Sequence, residues 1–296
     1  MKNCHGNNRV VGDANIIDCI ECGFKHVQPL PTPEELTAFY AEEFYATEKP
    51  VYIQRYLEDE AWWKLTYGSR LRHLESMGLS DKSVLDVGSG PGLFLKFANE
   101  NGWKSLGVEP SKIAVEHTRS LGCEVLEGFL DLELAKKIGS FAAIHASEVL
   151  EHLPNPKEML DLFHSLLKHD GVVCICVPND FNAFQEALVS KQGYKEWWVD
   201  QKHHLNYFDH DSLAALLERS NFEIEKVTSS FPIDLFLMMG DAYIGNDELG
   251  RQCHARRMQF ELLMHKSGLT GLQEKIYEAF AELGLGREVL VYARKK

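Results

Sequence analysis

Asp86 stands two residues before the first of three alternating glycines, Gly88, Gly90 and Gly92, in the stretch Val84-Leu-Asp-Val-Gly-Ser-Gly-Pro-Gly92. Glycines so placed let a backbone come close to a ligand. A dinucleotide loop reads G-x-G-x-x-G and cradles a pyrophosphate. Here the spacing is G-x-G-x-G, and a carboxylate at Asp86 would repel phosphate while holding an ammonium or a ribose hydroxyl. Glu109 lies about 20 positions past the loop, where an acidic residue catches a ribose diol. The ligand these residues describe has a ribose, a positive group and no phosphates. S-adenosylmethionine fits, through its ammonium, its sulfonium and its adenosine.

A second set of residues has metal-ligand character. Cys19-Ile-Glu-Cys22-Gly is a C-x-x-C knuckle, half of a tetrahedral zinc site. Cys4 with His5 or His26 would supply the rest. Cys4 and His5 are adjacent and poorly placed to share one ion, so Cys4, Cys19, Cys22 and His26 form the preferred set. A metal-free group of ordinary thiols is the alternative.

The elements that must position these residues alternate as βαβα. Strands are expected at Ser83–Val87, Ser105–Val108, Glu124–Glu127, Phe141–His145, Gly171–Val177 and Glu223–Ser229. Helices are expected at Gly92–Asn101, Lys112–Leu121, Leu132–Ile138, Pro156–Leu167 and Asp211–Ser220. That order implies an α/β fold with a parallel sheet covered on both faces. Ligands then bind outside the carboxyl ends of the strands, where the marked residues fall. Before the sheet, one helix from about Thr32 to Tyr45 and another from about Tyr52 to Met77 are expected, packing over the cofactor mouth. Their aromatics read first as core. The chain has 296 residues, 45% of them hydrophobic, and a net charge of −13. Such a surface disfavours nucleic acid and anionic membranes, and no apolar run approaches a membrane span. Few, scattered cysteines and a polar N-terminus point to the reducing cytoplasm.

From about residue 70 to 230 the chain resembles the class I S-adenosylmethionine-dependent methyltransferases. The marks are the glycine stretch, Gly107-Val-Glu-Pro110, Ser147-Glu-Val-Leu-Glu-His-Leu153, and Gly171 to Asn179 ending in Val-Pro-Asn. The resemblance implies a Rossmann-like seven-stranded sheet closed by an antiparallel last strand at Glu288–Ala293. It implies cofactor contacts from Asp86, Gly88, Gly90, Gly92, Leu93, Glu109 and Pro110, with the backbone of Ala146 and Ser147 beside the methionine part. Relatives often hold adenine with an acidic residue after the third-strand glycine. Here Phe129 occupies that place, and Asp131 is a second candidate. Glu151 and His152 read as a structural pair at a helix start.

Methyl transfer to oxygen or carbon also needs a proton removed, and a neutral histidine suits that near pH 7. In Lys202-His203-His204-Leu-Asn-Tyr207 the resemblance puts His204 in the role of base and His203 where relatives often have Glu. Helix capping or packing is the competing role for that pair. Asp180 and Asn179, after the fifth strand, are expected near the acceptor. Tyr194, Trp197 and Trp198 would wall the acceptor or pack a lid. The N-terminus is similar to the short zinc ribbon of sugar C-methyltransferases, followed by a segment like Pro31-Thr-Pro33 to Leu36 and Tyr40, but only Cys4 remains of the first C-x-x-C.

The implied organisation is a zinc-knuckle segment at 1–30, a helical cap at 31–78, the methyltransferase core at 79–230, a helical insertion at 231–285 and a final strand at 286–296. The insertion is expected to act as a lid or a homodimer surface. The expected activity is methylation of a small molecule, a sugar nucleotide, secondary metabolite or quinone-like ring, with O-methylation first. The alternatives are a non-catalytic S-adenosylmethionine-binding partner subunit and a protein methyltransferase.

Overall fold

In the computed structural model, which describes residues 4–32, 51–200 and 204–296, Val84, Leu85 and Val87 are buried, as is every residue from Val172 to Pro178. Strands buried on both faces belong in a parallel sheet under helices. That is what these runs form. The sheet is built from β4 (Ser83–Val87), β5 (Lys104–Glu109), β6 (Val125–Glu127), β7 (Phe141–Ser147), β8 (Leu167–Pro178), β10 (Phe222–Ser229) and β11 (Glu288–Lys295). Its order is β10-β11-β8-β7-β4-β5-β6. The β4, β5, β6, β7 and β8 pairings are parallel, and β11 runs antiparallel between β8 and β10. The chain leaves β4 in one direction and returns to β7 on its other side. This switch of direction opens a crevice at the carboxyl ends of β4 and β7.

Helices α3 (Leu93–Glu100), α4 (Lys112–Ser120), α5 (Leu132–Ile138), α6 (Pro156–Leu166) and α8 (His210–Arg219) connect the strands, with α7 (Ala183–Gln192) after β8. The first five match the expected spans closely, while α7 lies where no helix was expected. The helix expected over 52–77 is instead two, α1 (Tyr52–Glu58) and α2 (Glu60–Ser76). The break is at Asp59, which is buried and held in a two-bonded grip by Arg251 at 2.6 and 2.7 Å. Arg251 belongs to α10 (Asp247–Lys266), which follows the short α9 (Asp234–Met238) and precedes α11 (Thr270–Glu282). Trp62 donates to Glu261 of α10, and the Arg257 guanidinium lies 4.7 Å from the Trp62 ring centre. The C-terminal helices are therefore fastened to the N-terminal ones. The helix expected before Tyr45 lies outside the described residues.

The N-terminal segment forms strands that its cysteines had masked. β1 (Gly6–Val11), β2 (Ala14–Cys19) and β3 (Phe24–Val27) make an antiparallel meander, completed by the two-residue β9 (Asn206–Tyr207). The Lys25–Tyr207 and His26–Asn206 pairings join this small sheet to the segment that carries His204. Among the described residues, no helix is long and apolar enough to cross a membrane.

Candidate functional site

A cavity of about 650 Å³ opens at the crevice. At one end stand Asp86, Gly88, Gly90, Glu109, Pro110 and Phe129. Gly88, Gly90 and Gly92 all have positive φ. A Cβ at Gly88 would meet Val149 at 2.7 Å, and one at Gly92 would meet Thr118 at 2.5 Å. The loop is thus held open by packing as well as by conformation. Gly92 and Leu93 start α3 behind the cavity wall, and Ala146 is buried beside it, while Ser147 lines the cavity.

Glu109 has one carboxylate oxygen on the Gly90 N–H and the other on the Ser111 N–H, both at 2.9 Å. Each oxygen keeps a second lone pair, which is what a vicinal diol needs. Burial pushes this carboxyl up to about 7. Asp86 lines the same end of the cavity. Its Oδ1 takes the Nδ1–H of His145 at 2.6 Å, and the Nε2 of His145 accepts from Arg70 at 2.9 Å. Those two bonds fix the tautomer. Phe94 stacks on the imidazole with ring centres 3.9 Å apart, and burial pulls the His145 pKa down. Arg70, 3% exposed, also donates to Ser147 Oγ and Cys176 Sγ, and its Nε has no hydrogen-bond partner among the described residues. A cation sits at the cavity wall with its nearest hydrogen-bonded carboxylate one imidazole away. An incoming carboxylate would complete it.

One wall is aromatic: Tyr52, Tyr56, Trp62, Trp63 and Tyr67, with Trp63 stacked on Tyr67 and Tyr52 on Tyr56. The far end holds Glu148, His152, Asp200 and His204. Glu148 has φ +57 without being glycine, a strained conformation that concentrates at functional sites. The His204 N–H donates to Asp200 O at 2.7 Å. Asp180 lies behind His204, its carboxylate 3.9 Å from Nδ1 and 3.7 Å from Arg287, and it does not line the cavity. Burial raises Asp180 to about 6. His203 lies outside the described residues.

Residues 64–227 match the family model described as a methyltransferase domain. The chain belongs to this family. Its fold is that of the class I S-adenosylmethionine-dependent methyltransferases. It is 30% identical to the ubiquinone biosynthesis O-methyltransferase of Histophilus somni over 117 residues, 36% of this chain and 49% of that protein. With the enzyme of the same name from Xanthomonas axonopodis it shares 31% over 154 residues, 49% of this chain and 64% of that one. The chain thus spans about half to two thirds of the length of these relatives. A methyltransferase structure from Archaeoglobus fulgidus superposes with a TM-score of 0.51 at 18% identity, over 81% of this chain and 99% of that one. The likeness at that identity is one of fold.

Several of the residues singled out in the sequence have structural partners in the fold. Asp131 caps α5 by accepting the Leu134 N–H at 2.7 Å, and it does not line the cavity. Asn179 donates to Gly284 O and Gly286 O and ties the end of β8 to the turn before β11. Trp198 packs with Ala14, Ile16 and Val27 of the small sheet. The cavity's aromatic wall comes instead from α1 and α2. Arg70 went unremarked in the sequence, yet Tyr67, Arg70, Leu71 and Leu74 fall at i, i+3, i+4 and i+7, one stripe of a helix. An arginine on a buried stripe was the available signal.

The four residues of the preferred metal set do converge. The ligand atoms of Cys4, Cys19, Cys22 and His26 all lie within 4.8 Å of one another. Cys4 and Cys22 sulfurs are 3.6 Å apart, close to the roughly 3.8 Å edge of a tetrahedron with 2.3 Å bonds. The Cys22 N–H points at Cys19 Sγ. His26 donates Nδ1–H to Val27 O at 2.9 Å, and its buried Nε2 has no partner among the described residues. Burial holds this imidazole neutral, the state that ligates.

Proposed function

We propose that this protein transfers the methyl group of S-adenosylmethionine to an oxygen of a small molecule. One observation carries the reading: a single cavity runs from a diol-ready carboxylate and an unmet cation to an imidazole, past an aromatic wall. Glu109 would hold the ribose diol, and Arg70 would hold the α-carboxylate. Tyr52, Tyr56, Trp63 and Tyr67 present π-faces that favour a cation and exclude water. When bound, the cofactor supplies an electrophilic methyl on sulfur, and the C–S electron pair stays with the sulfur as the methyl leaves. His204, at the acceptor end, takes the proton from the acceptor's hydroxyl. Asp180 behind it favours the resulting charge. The net charge of −13 supports a small acceptor over RNA. The curated relatives' O-methyltransferase names support oxygen as the methylated atom. A cytoplasmic setting belongs to the same reading, and exposed Leu263 and Leu272 on the C-terminal helices, with Leu269 in the turn between them, support self-association there.

The test is calorimetry with S-adenosylhomocysteine. Binding is expected at about 1–100 μM, and no heat from the purified chain sinks the proposal. The pH dependence has a definite sign. The diol needs the carboxylate form of Glu109, whose proton is held up to about pH 7. Affinity should fall by up to about tenfold per unit below that pH and level off above it. A profile flat from pH 5 to 8 would remove Glu109 from cofactor binding.

A zinc ion in the Cys4, Cys19, Cys22 and His26 cluster is part of the proposal, as a structural tie. The Val27 N–H donates to Leu205 O at 2.8 Å, beside His204, so a pinned β3 steadies the acceptor end. Elemental analysis should find about one zinc per chain. Cys19→Ser with Cys22→Ser should lose it and lower the thermal midpoint by at least about 4 °C. A zinc-free native chain of unchanged stability would count against the tie.

A further inference from the structure

Gly90 is gripped at both ends, and only one grip belongs to the cavity. Its N–H donates to Glu109 at 2.9 Å. Its carbonyl accepts the Thr118 hydroxyl at 3.1 Å. Thr118 sits on α4 with no exposed surface, and no residue of α4 lines the cavity. The residue before it makes the same kind of bond: His117 donates Nδ1–H to Pro91 O at 2.7 Å. The loop is thus divided between two elements. β5 holds the amides at its start, where Gly88 and Ser89 donate to Val108 O at 2.9 and 3.2 Å. α4 holds the carbonyls at its crown. Gly90 has φ +52 and no side chain to keep its backbone there. Without an outside partner its backbone would swing, and its N–H with it. The direction of that N–H matters, because it fixes one oxygen of Glu109 while the Ser111 N–H fixes the other.

We propose that Thr118 is a positioning residue for cofactor binding: from behind the cavity wall its hydroxyl fixes the Gly90 carbonyl, so that the Gly90 N–H stays aimed at Glu109 and the carboxylate keeps the orientation a ribose diol requires. The ribose contact rests on the methyl-transfer reading, while the effect on Glu109 does not. The path is short: one hydroxyl, one glycine, one carboxylate. It gives α4 control over a site it does not touch. Packing is the competing role, since a Cβ at Gly92 would meet Thr118 Oγ1 at 2.5 Å and its methyl carbon at 2.7 Å. The two roles differ in what Glu109 feels. Burial, and after it the charge of Asp86, drives its pKa up, while the Ser111 and Gly90 amides favour the charged form. Asp86 on β4, Tyr52 on α1, His117 on α4 and Glu127 opposite it on β6 are ionisable groups on the elements around Glu109. Losing the Thr118 hydroxyl changes none of their charges, so a shift at Glu109 would report the Gly90 amide.

The experiment follows the Glu109 carboxyl carbon resonance against pH in the ligand-free full chain. Calorimetry with S-adenosylhomocysteine, and with 5′-methylthioadenosine, which shares its adenosine, runs beside it. The native midpoint is expected at about 7. Thr118→Val keeps the side chain's shape and loses the hydroxyl. Loosening an amide's bond to the charged form raises a carboxyl pKa, so the midpoint should move up, by roughly half a unit or more. Both ligands should weaken alike, by about three- to tenfold. Thr118→Ser keeps the hydroxyl and should titrate and bind as the native chain does. Should Thr118→Val fail to fold, Thr118→Ala set against Thr118→Ser makes the same comparison, because those two differ in the hydroxyl alone. A Glu109 midpoint unmoved by loss of the hydroxyl overturns the proposal, as does native ligand affinity in a variant that lacks it. A serine variant that behaves as the valine one also overturns it and makes packing on Gly92 the cause. A midpoint that moves in a chain whose native form binds neither ligand keeps the link from Thr118 to Glu109 and strikes the methyltransferase reading instead.

Discussion

Arg70→Met is expected to weaken S-adenosylhomocysteine binding by at least about 30-fold and to leave 5′-methylthioadenosine bound as in the native chain. The two ligands share the adenosine and the thioether, and only the first carries an amino-acid carboxylate. Arg70 is buried on the stripe of α2 that faces the cavity, with Nε lacking a partner among the described residues. Removing one member of a buried, hydrogen-bonded charge pair costs about 2–5 kcal/mol, and the lower figure corresponds to about 30-fold. Methionine keeps most of the apolar stem. The apo fold should survive the change for a specific reason. His145 now accepts from Arg70 and donates to Asp86. Without the guanidinium it can take up a proton and pair with Asp86 directly, so the His145 pKa should rise in the variant, which proton resonance of the imidazole would report. If both ligands lose affinity equally, Arg70 acts through the fold and the carboxylate contact is wrong.

The parallel core was legible because its strands are short, apolar and bounded by glycine, and because both faces of the sheet are buried. The residue-level expectations for β4 through β8 and for β11 rest on that pattern. What escaped the sequence was decided by contacts across long separations. β9 is two residues long and becomes a strand only by pairing with Lys25 and His26. The break between α1 and α2 depends on Arg251, whose position opposite Asp59 no local pattern shows. Periodicity also reports that a stripe is apolar without reporting what it faces. Tyr56, Trp63 and Tyr67 fit a core stripe and a cavity wall equally well, and the structure makes them the wall. Glu151 was hidden for the same reason. Its neighbours in sequence suggest a helix start, while one of the groups within 4.8 Å of its carboxylate comes from the His204 segment, more than fifty residues on.

His204→Ala is expected to lower kcat by about 10²–10⁴, with S-adenosylhomocysteine affinity unchanged because His204 lies at the far end of the cavity from Glu109. The measurement is S-adenosylhomocysteine release over a panel of phenols and vicinal diols, taking the acceptor that the native chain turns over fastest. Unchanged turnover in the variant would remove His204 from the chemistry and favour a capping role. A loss of kcat with unchanged S-adenosylhomocysteine affinity and an unchanged thermal midpoint assigns His204 to the chemistry at the acceptor end.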